Sequence, residues 1–178
     1  MKLTETDFPG VYIIDNFYQY DIRGNFIKLY NEDQFQELGI DMQLKEIYYS
    51  TSQKDVIRGM HFQLPPHEHA KIVHVLKGSV TDVLVDLRRE SPHYQKVLEI
   101  PLTGNKPRSV FIPKGIAHGF KALENDTVMI YQVTSGYSPA HDMGIAWGSI
   151  GYDWQITDPI ISERDAGFIT LKEFESPF

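Results

Sequence analysis

The sequence predicts an all-β domain, a sandwich or barrel with a few short peripheral helices. Between residues 72 and 133, short runs rich in branched side chains recur at regular spacing, and Gly, Pro, Asn or Ser separate them. Helical patterning is confined to one short stretch near the N-terminus and, weakly, to the C-terminal tail.

From Phe8 to about Ile47 the pattern is mixed. A turn at Pro9 and Gly10 precedes the apolar run Val11 to Ile14, and Asp21-Ile-Arg-Gly-Asn-Phe26 reads as a turn into an extended stretch ending at Tyr30. Asn31 to Leu38 reads as one helix: Asn31 or Asp33 can cap it, Phe35 and Leu38 share its inner face, and Gly39 suits its end. The strands follow: Ile72 to Leu76, Val80 to Leu87, Lys96 to Ile100, Ser109 to Ile112 and Thr127 to Val133. Lys77-Gly78 reads as a hairpin turn between the first two. Alternation puts Lys71, Val73 and Val75 on one face of their strand, and Met129, Tyr131 and Val133 on one face of another, so Lys71 and Tyr131 can both point inward. From Pro159 onward a polar segment containing Ile161-Ser-Glu-Arg-Asp165 leads into a weakly helical tail. No repeat or linker interrupts the 178 residues, so one domain spanning 1–178 is expected.

Composition excludes several function classes. Cysteine is absent, which removes disulfides, thiolate nucleophiles and thiolate metal sites. A formal charge of -7 argues against a nucleic-acid partner, because duplex binding rests on neutralising phosphates with Lys and Arg. No apolar run approaches a membrane span, and MKLTETDFPG lacks the apolar stretch of a signal peptide, so a cytoplasmic protein without a membrane partner is expected.

Two signatures narrow the barrel. His67-x-His69 precedes Lys77-Gly78, and Pro113-x-Gly115-x-x-His118 follows the strand Val110 to Ile112. Together they resemble the two motifs of the cupin jelly roll, in which two sheets curl around one core and leave a ligand cavity. Metal-binding cupins carry ligands at the places of His67, His69 and His118. Their carboxylate position, however, falls here on Ala70-Lys71-Ile72, and an ammonium offers a metal no lone pair. No metal is therefore expected. The proline-rich surroundings of His67 and His69 read as a solvated loop, His74 as a packed strand residue with a satisfied ring nitrogen, and His93 and His141 carry no signal.

A longer resemblance runs from about Phe8 to Leu171. Arg58-Gly-Met-His61-Phe-Gln63, Pro65-Pro66 with Lys71, Val80-x-Asp82-Val-x-Val-Asp86-Leu-Arg88 and Ile112-Pro-x-Gly-x-Ala-His118-Gly-Phe120 come in that order. Tyr131-x-x-Thr134-x-x-Tyr137-x-Pro139, Gly144-Ile-x-Trp147 and Ile161-Ser-x-x-Asp165 follow. The set resembles the dTDP-4-dehydrorhamnose 3,5-epimerase family. That resemblance implies an epimerase that inverts C3 and/or C5 of a nucleoside-diphosphate-linked 4-keto-6-deoxy sugar by removing and returning a proton. The alternatives are a sugar-nucleotide 3,4-ketoisomerase on the same fold or a metal-dependent cupin enzyme using His67, His69 and His118. No cofactor is implied, because the substrate ketone itself acidifies the neighbouring C–H bonds.

The resemblance also assigns roles. His61 holds the base position, Asp165 its carboxylate partner, Lys71 the cation near the C4 oxygen, and Tyr131 the general acid on the opposite face. Arg58 and Arg23 match positions near the pyrophosphate, and Phe26, Gln63, His118 and Tyr137 match substrate-binding positions. The early strand carrying Arg23 and Phe26, within about residues 8–47, is implied to cross to a second subunit and complete its site, which makes the chain a homodimer. Two substrate positions depart from the pattern: Lys28 stands where a glutamate is common and Tyr48 where an asparagine is common, while Gly148-Ser149-Ile150 replaces an Asp-Pro. These departures predict a modified pocket, and its reshaping by Tyr48 and Lys28 predicts inversion of a single centre.

Overall fold

The computed structural model describes all of residues 1–178. Its strands are β1 (Lys2–Glu5), β2 (Tyr12–Asp15), β3 (Phe17–Asp21), β4 (Gly24–Lys28), β5 (Glu46–Ser52), β6 (Ile57–Gln63) and β7 (Lys71–Lys77). There follow β8 (Ser79–Asp86), β9 (Val97–Thr103), β10 (Arg108–Ile112), β11 (Ile116–Ala122), β12 (Thr127–Val133) and β13 (Asp142–Gly144). Two short helices, α1 (Glu32–Glu37) and α2 (Glu163–Ala166), lie outside the sheets. One six-stranded sheet has the order β1-β2-β10-β7-β12-β5, a five-stranded sheet has β13-β6-β11-β8-β9, and β3 pairs only with β4. This is the expected all-β cupin jelly roll with short peripheral helices. No helix is long and apolar enough to cross a membrane.

Strand alternation explains the packing. Val73 and Val75 of β7, Val80 and Leu84 of β8, Phe120 of β11 and Met129 of β12 meet in the core between the sheets. The residues between them face outward and are buried as well. Val83 and Val85 of β8 pack with Ile57, Trp154, Leu171 and Phe174, while Ile72 of β7 packs with Ile14, Phe35, Ile40 and Met42. Strands covered on both faces read as nearly continuous apolar runs, which is why β7, β8 and β12 were legible. The helix forms as its sequence predicts: Asn31 Oδ1 accepts from Gln34 N at 3.0 Å, and Phe35 carries its buried face.

Three expectations need correction. Lys77-Gly78 is not a hairpin turn, because β7 pairs with β10 and β12 whereas β8 pairs with β11 and β9. Gly78 turns with φ +80°, where an added Cβ would run into Thr127, but the turn carries the chain round a corner from one sheet to the other. The C-terminal tail is not helical. The only helix there is the four-residue α2 inside the polar segment itself, capped by Ser162, and the later residues pack as extended and turn structure under the second sheet. β4 begins two residues before the extended stretch expected from Phe26, and its partner β3 and strands β5, β6 and β11 were unread, because exposed or polar residues interrupt their apolar residues.

β6 and β11 approach closely around two glycines. A Cβ on Gly119 would lie 2.7 Å from Met60 Sδ and 2.8 Å from Arg58 O. Gly119→Ala should therefore lower stability by about 1–3 kcal/mol through overpacking, seen as a lower urea midpoint; an unchanged midpoint would show that the ladder can spread at no cost.

Candidate active site

The inner faces of both sheets are apolar at one end and polar at the other. His61 from β6, His118 from β11 and Asp82 from β8 come from the second sheet, and Lys71 from β7 and Tyr131 from β12 come from the first. All but Asp82, which is fully buried against His118, line a cleft with two lobes, of about 440 and 190 Å³, which share Tyr48, His61 and Lys71.

His61 and Asp165 are 104 residues apart in sequence, yet His61 Nε2 lies 2.9 Å from Asp165 Oδ1. α2 exists at this point because Ser162 caps it, its hydroxyl accepting from Asp165 N at 3.1 Å. Asp165 Oδ2 accepts from Gly59 N at 3.0 Å, so the carboxylate is clamped to the backbone of the strand that carries His61. Burial raises the Asp165 carboxyl, but hydrogen bonds from His61, Gly59 and Ser162 outweigh it and leave the group below the usual carboxylate range. A carboxylate can only accept, so Nε2 carries the proton and Nδ1 is left with a lone pair. Burial also lowers the His61 imidazole against the upward pull of Asp165, which favours the neutral form.

Lys71 is 5% exposed and forms no ion pair or hydrogen bond with the protein through its ammonium. Burial brings it down to about 8, and the carboxylates of Asp82 and Asp142 limit the fall. Tyr131, also buried, sits 3.2 Å from Ser50 Oγ through its hydroxyl, and its ring stacks on Tyr48 with centroids 4.9 Å apart at 17°. Burial raises the phenol above its ordinary value, so it keeps its proton throughout the neutral range. A base and an acid thus stand on facing sheets, with a buried cation beside the acid strand. A flat substrate between the sheets would meet the lone pair on one face and the phenol on the other.

The remaining predicted residues divide. Arg58 lies in the deeper lobe, held by Ser52 Oγ and Thr51 O at 3.0 Å each. His118 also lines that lobe, its Nε2 taken by the buried Asp82 at 2.6 Å. Gln63 borders the outer lobe, but protein groups occupy its amide: Oε1 accepts from Ser138 N at 2.7 Å, and Nε2 donates to His67 O at 2.8 Å. Tyr137 is exposed at the outer rim. Arg23, Phe26 and Lys28 are outside the cleft of their own chain, on the β3–β4 pair, where Arg23 pairs with Asp21 at 2.5 Å and Lys28 lies 5.7 Å from the Phe17 ring centre. Lys28 therefore does not reshape this cleft from within the chain, whereas Tyr48 does.

No three of the His, Asp and Glu side chains converge in a way that could hold a metal ion. His118 is bonded to Asp82, His67 stacks on His141 with centroids 4.4 Å apart, and His69 Nδ1 meets the Gln63 amide at 3.2 Å. The His67–His69 loop is thus not free in solvent as expected, and burial lowers His69, on the cleft wall, to about 3. His74 is packed as expected, its Nδ1 2.6 Å from Arg108 O. The sequence reading missed Arg164, Asp142, Glu46 and Ser50. Only Arg164 had a visible signal, its place beside Asp165.

A buried ammonium without a partner costs stability. The folded chain holds Lys71 near 8 and the unfolded chain near 10.5, so the unfolded state binds more protons between those values and stability rises with pH there. Lys71→Met should stabilise the fold by about 1–3 kcal/mol at pH 7, an advantage that shrinks towards pH 10.5. Parallel denaturation of both proteins across that range checks this; a Met variant less stable at pH 7 would contradict it.

Known proteins were compared with this chain. The family model described as dTDP-4-dehydrorhamnose 3,5-epimerase matches residues 5–173. An enzyme of that name from Methanothermobacter thermautotrophicus is 37% identical over 97% of this chain and 95% of its own length. A crystal structure of the Bacillus anthracis enzyme of that name, with TDP and PPi bound, superposes with TM-score 0.92 at 34% identity over 96% of this chain and 99% of that one. NovW, a 4-keto-6-deoxy sugar epimerase from the novobiocin gene cluster of Streptomyces spheroides, gives TM-score 0.92 at 34% identity over 97% of this chain and 88% of that one. With sequence, fold and matched length in agreement, this chain belongs to the dTDP-4-dehydrorhamnose 3,5-epimerase family and is a carbohydrate epimerase.

Proposed function

We propose that the chain inverts a carbon flanking the ketone of a nucleoside-diphosphate-linked 4-keto-6-deoxy sugar, at C3 and/or C5, in deoxysugar biosynthesis. The observation that carries this reading is the His61 imidazole and the Tyr131 phenol on facing sheets around one cleft, with the unpaired Lys71 ammonium on the strand next to that of Tyr131. His61 Nδ1 takes the proton from the carbon next to the ketone. The C–H electron pair becomes the new C=C bond, and the carbonyl π pair moves onto the C4 oxygen. Lys71 stabilises that oxyanion, and one preorganised donor of this kind is worth about 3 kcal/mol of barrier. Tyr131 then delivers its proton to the opposite face of the carbon, which inverts the centre. His61 returns its proton to solvent and Tyr131 regains one, so the cycle is redox-neutral. Asp165 fixes the tautomer of His61 and supports the transient imidazolium.

Arg58 is in place for the diphosphate, and the pyrophosphate and TDP of the Bacillus anthracis relative support that ligand class. Arg23, Phe26 and Lys28 would act in a second subunit of a homodimer. Phe17, Tyr18, Tyr20, Ile22 and Phe26 are exposed around the β3–β4 pair, and β5, an edge strand, exposes Ile47 and Tyr49. Such a surface favours burial against another chain.

A finer reading is inversion of one centre rather than two. The Tyr48 stack holds the Tyr131 ring in one orientation, so the acid serves one carbon position. Products formed from a panel of 4-keto nucleotide sugars in deuterated water, analysed by NMR and mass, test the whole reading. Wild type should place deuterium at one inverted carbon; deuterium with inversion at both C3 and C5 would refute the single-centre reading. His61→Asn should lose exchange and inversion together by about 10²–10⁴-fold. Tyr131→Phe should keep exchange through His61 but nearly lose inversion, and Asp165→Asn should slow both without abolishing them. Wild-type turnover in His61→Asn, or full inversion by Tyr131→Phe, would remove that residue from the mechanism.

A further inference from the structure

His61 has a second charged neighbour besides its carboxylate. Arg164, one residue before Asp165 on α2, places Nη1 3.3 Å from His61 Nε2 and 3.6 Å from Asp165 Oδ1. Its Nη2 donates to Asp142 Oδ2 on β13 at 2.5 Å, and its guanidinium carbon lies 5.0 Å from the centre of the Phe168 ring. Phe168 stands edge-on to His61, with centroids 5.7 Å apart. The guanidinium cannot swing away from the imidazole without giving up Asp142 and the ring.

The two neighbours make opposite demands on one nitrogen. Asp165 can only accept a hydrogen bond and Arg164 can only donate one. At 2.9 Å against 3.3 Å, the carboxylate takes the Nε2 proton, and Arg164 faces the ring as a positive charge without a hydrogen bond to it. A positive charge at this range disfavours the imidazolium. The other charges around His61 are Lys71 on β7, which acts in the same sense, and Asp142 on β13, which screens Arg164. His118, opposite His61 on β11, is paired with Asp82 of β8.

We propose that Arg164, anchored by Asp142, is a positioning residue that sets the proton affinity of His61. It adds to burial in opposing Asp165, which favours the unprotonated imidazole and helps it release the proton it has taken from carbon. The role rests on His61 being the base. The direction in which burial, Asp165 and Arg164 move His61 agrees with it.

Two substitutions should move His61 in opposite directions. Arg164→Gln removes the repelling charge, so the imidazole should titrate higher by about half a pH unit or more, and the acid limb of kcat/KM should move up with it. Asp142→Asn keeps an oxygen that can accept from Arg164 and so hold it in place, but removes the negative charge that screens it, so both should move down. Arg164→Lys keeps the charge and should stay near wild type. NMR titration of the His61 ring in the free enzyme reads this without substrate. Shifts of the same sign in both variants, or no shift in Arg164→Gln, would overturn the proposal. If the wild type exchanged no proton with any 4-keto nucleotide sugar, the functional reading would fail while the ring titration still decided the role of Arg164.

Discussion

The site is organised around an ammonium buried without a counter-charge. Lys71 begins a strand whose next inward residues, Val73 and Val75, sit in the core, so strand geometry alone aims it between the sheets. Nothing in the protein neutralises it at contact distance; Asp82 and Asp142 act from further away, Asp82 bonding His118 through Oδ1. Such a group destabilises the folded chain and stabilises negative charge that appears next to it during a reaction. A paired lysine would be cheaper to fold and weaker towards an enolate.

Around that cation the fold separates the proposed base from the proposed acid by architecture. His61 and Tyr131 come from different sheets, and the cleft exists because two sheets curl over one core. Each side chain is oriented by a contact: Asp165 holds Nε2 of His61 and leaves Nδ1 free, whereas Tyr48 stacks on the Tyr131 ring and Ser50 meets its hydroxyl. The glycines at 59 and 119 let β6 and β11 approach closely beside His61 and His118.

Much of the site was legible in the sequence, for unequal reasons. Lys71 and Tyr131 lie on strands that read clearly as strands, so their sharing a face with Val73 and Val75, and with Met129 and Val133, followed from the two-residue period of a strand, while which face turned inward did not. The closeness of His61 to Asp165 did not; it came from resemblance, because no local rule joins residues 104 apart. β6 and β11 escaped notice because Gly59, His61 and Gln63 on the one, and His118, Gly119 and Lys121 on the other, break up their apolar residues. The supposed hairpin at Gly78 misled because a glycine turn looks the same whether its strands pair or part into different sheets. Arg164 and Asp142 were invisible as a pair, since their meeting depends on where a four-residue helix docks against a three-residue strand.

The central claim is that Lys71 is a buried, unpaired cation awaiting negative charge on the substrate. The most direct measurement is an NMR titration of the Lys71 ε-carbon in the free protein and again with a bound 4-keto nucleotide sugar. A midpoint near 8 in the free protein that rises on binding is the expected result. A midpoint near the ordinary 10.5 in the free protein, unmoved by ligand, would contradict the account.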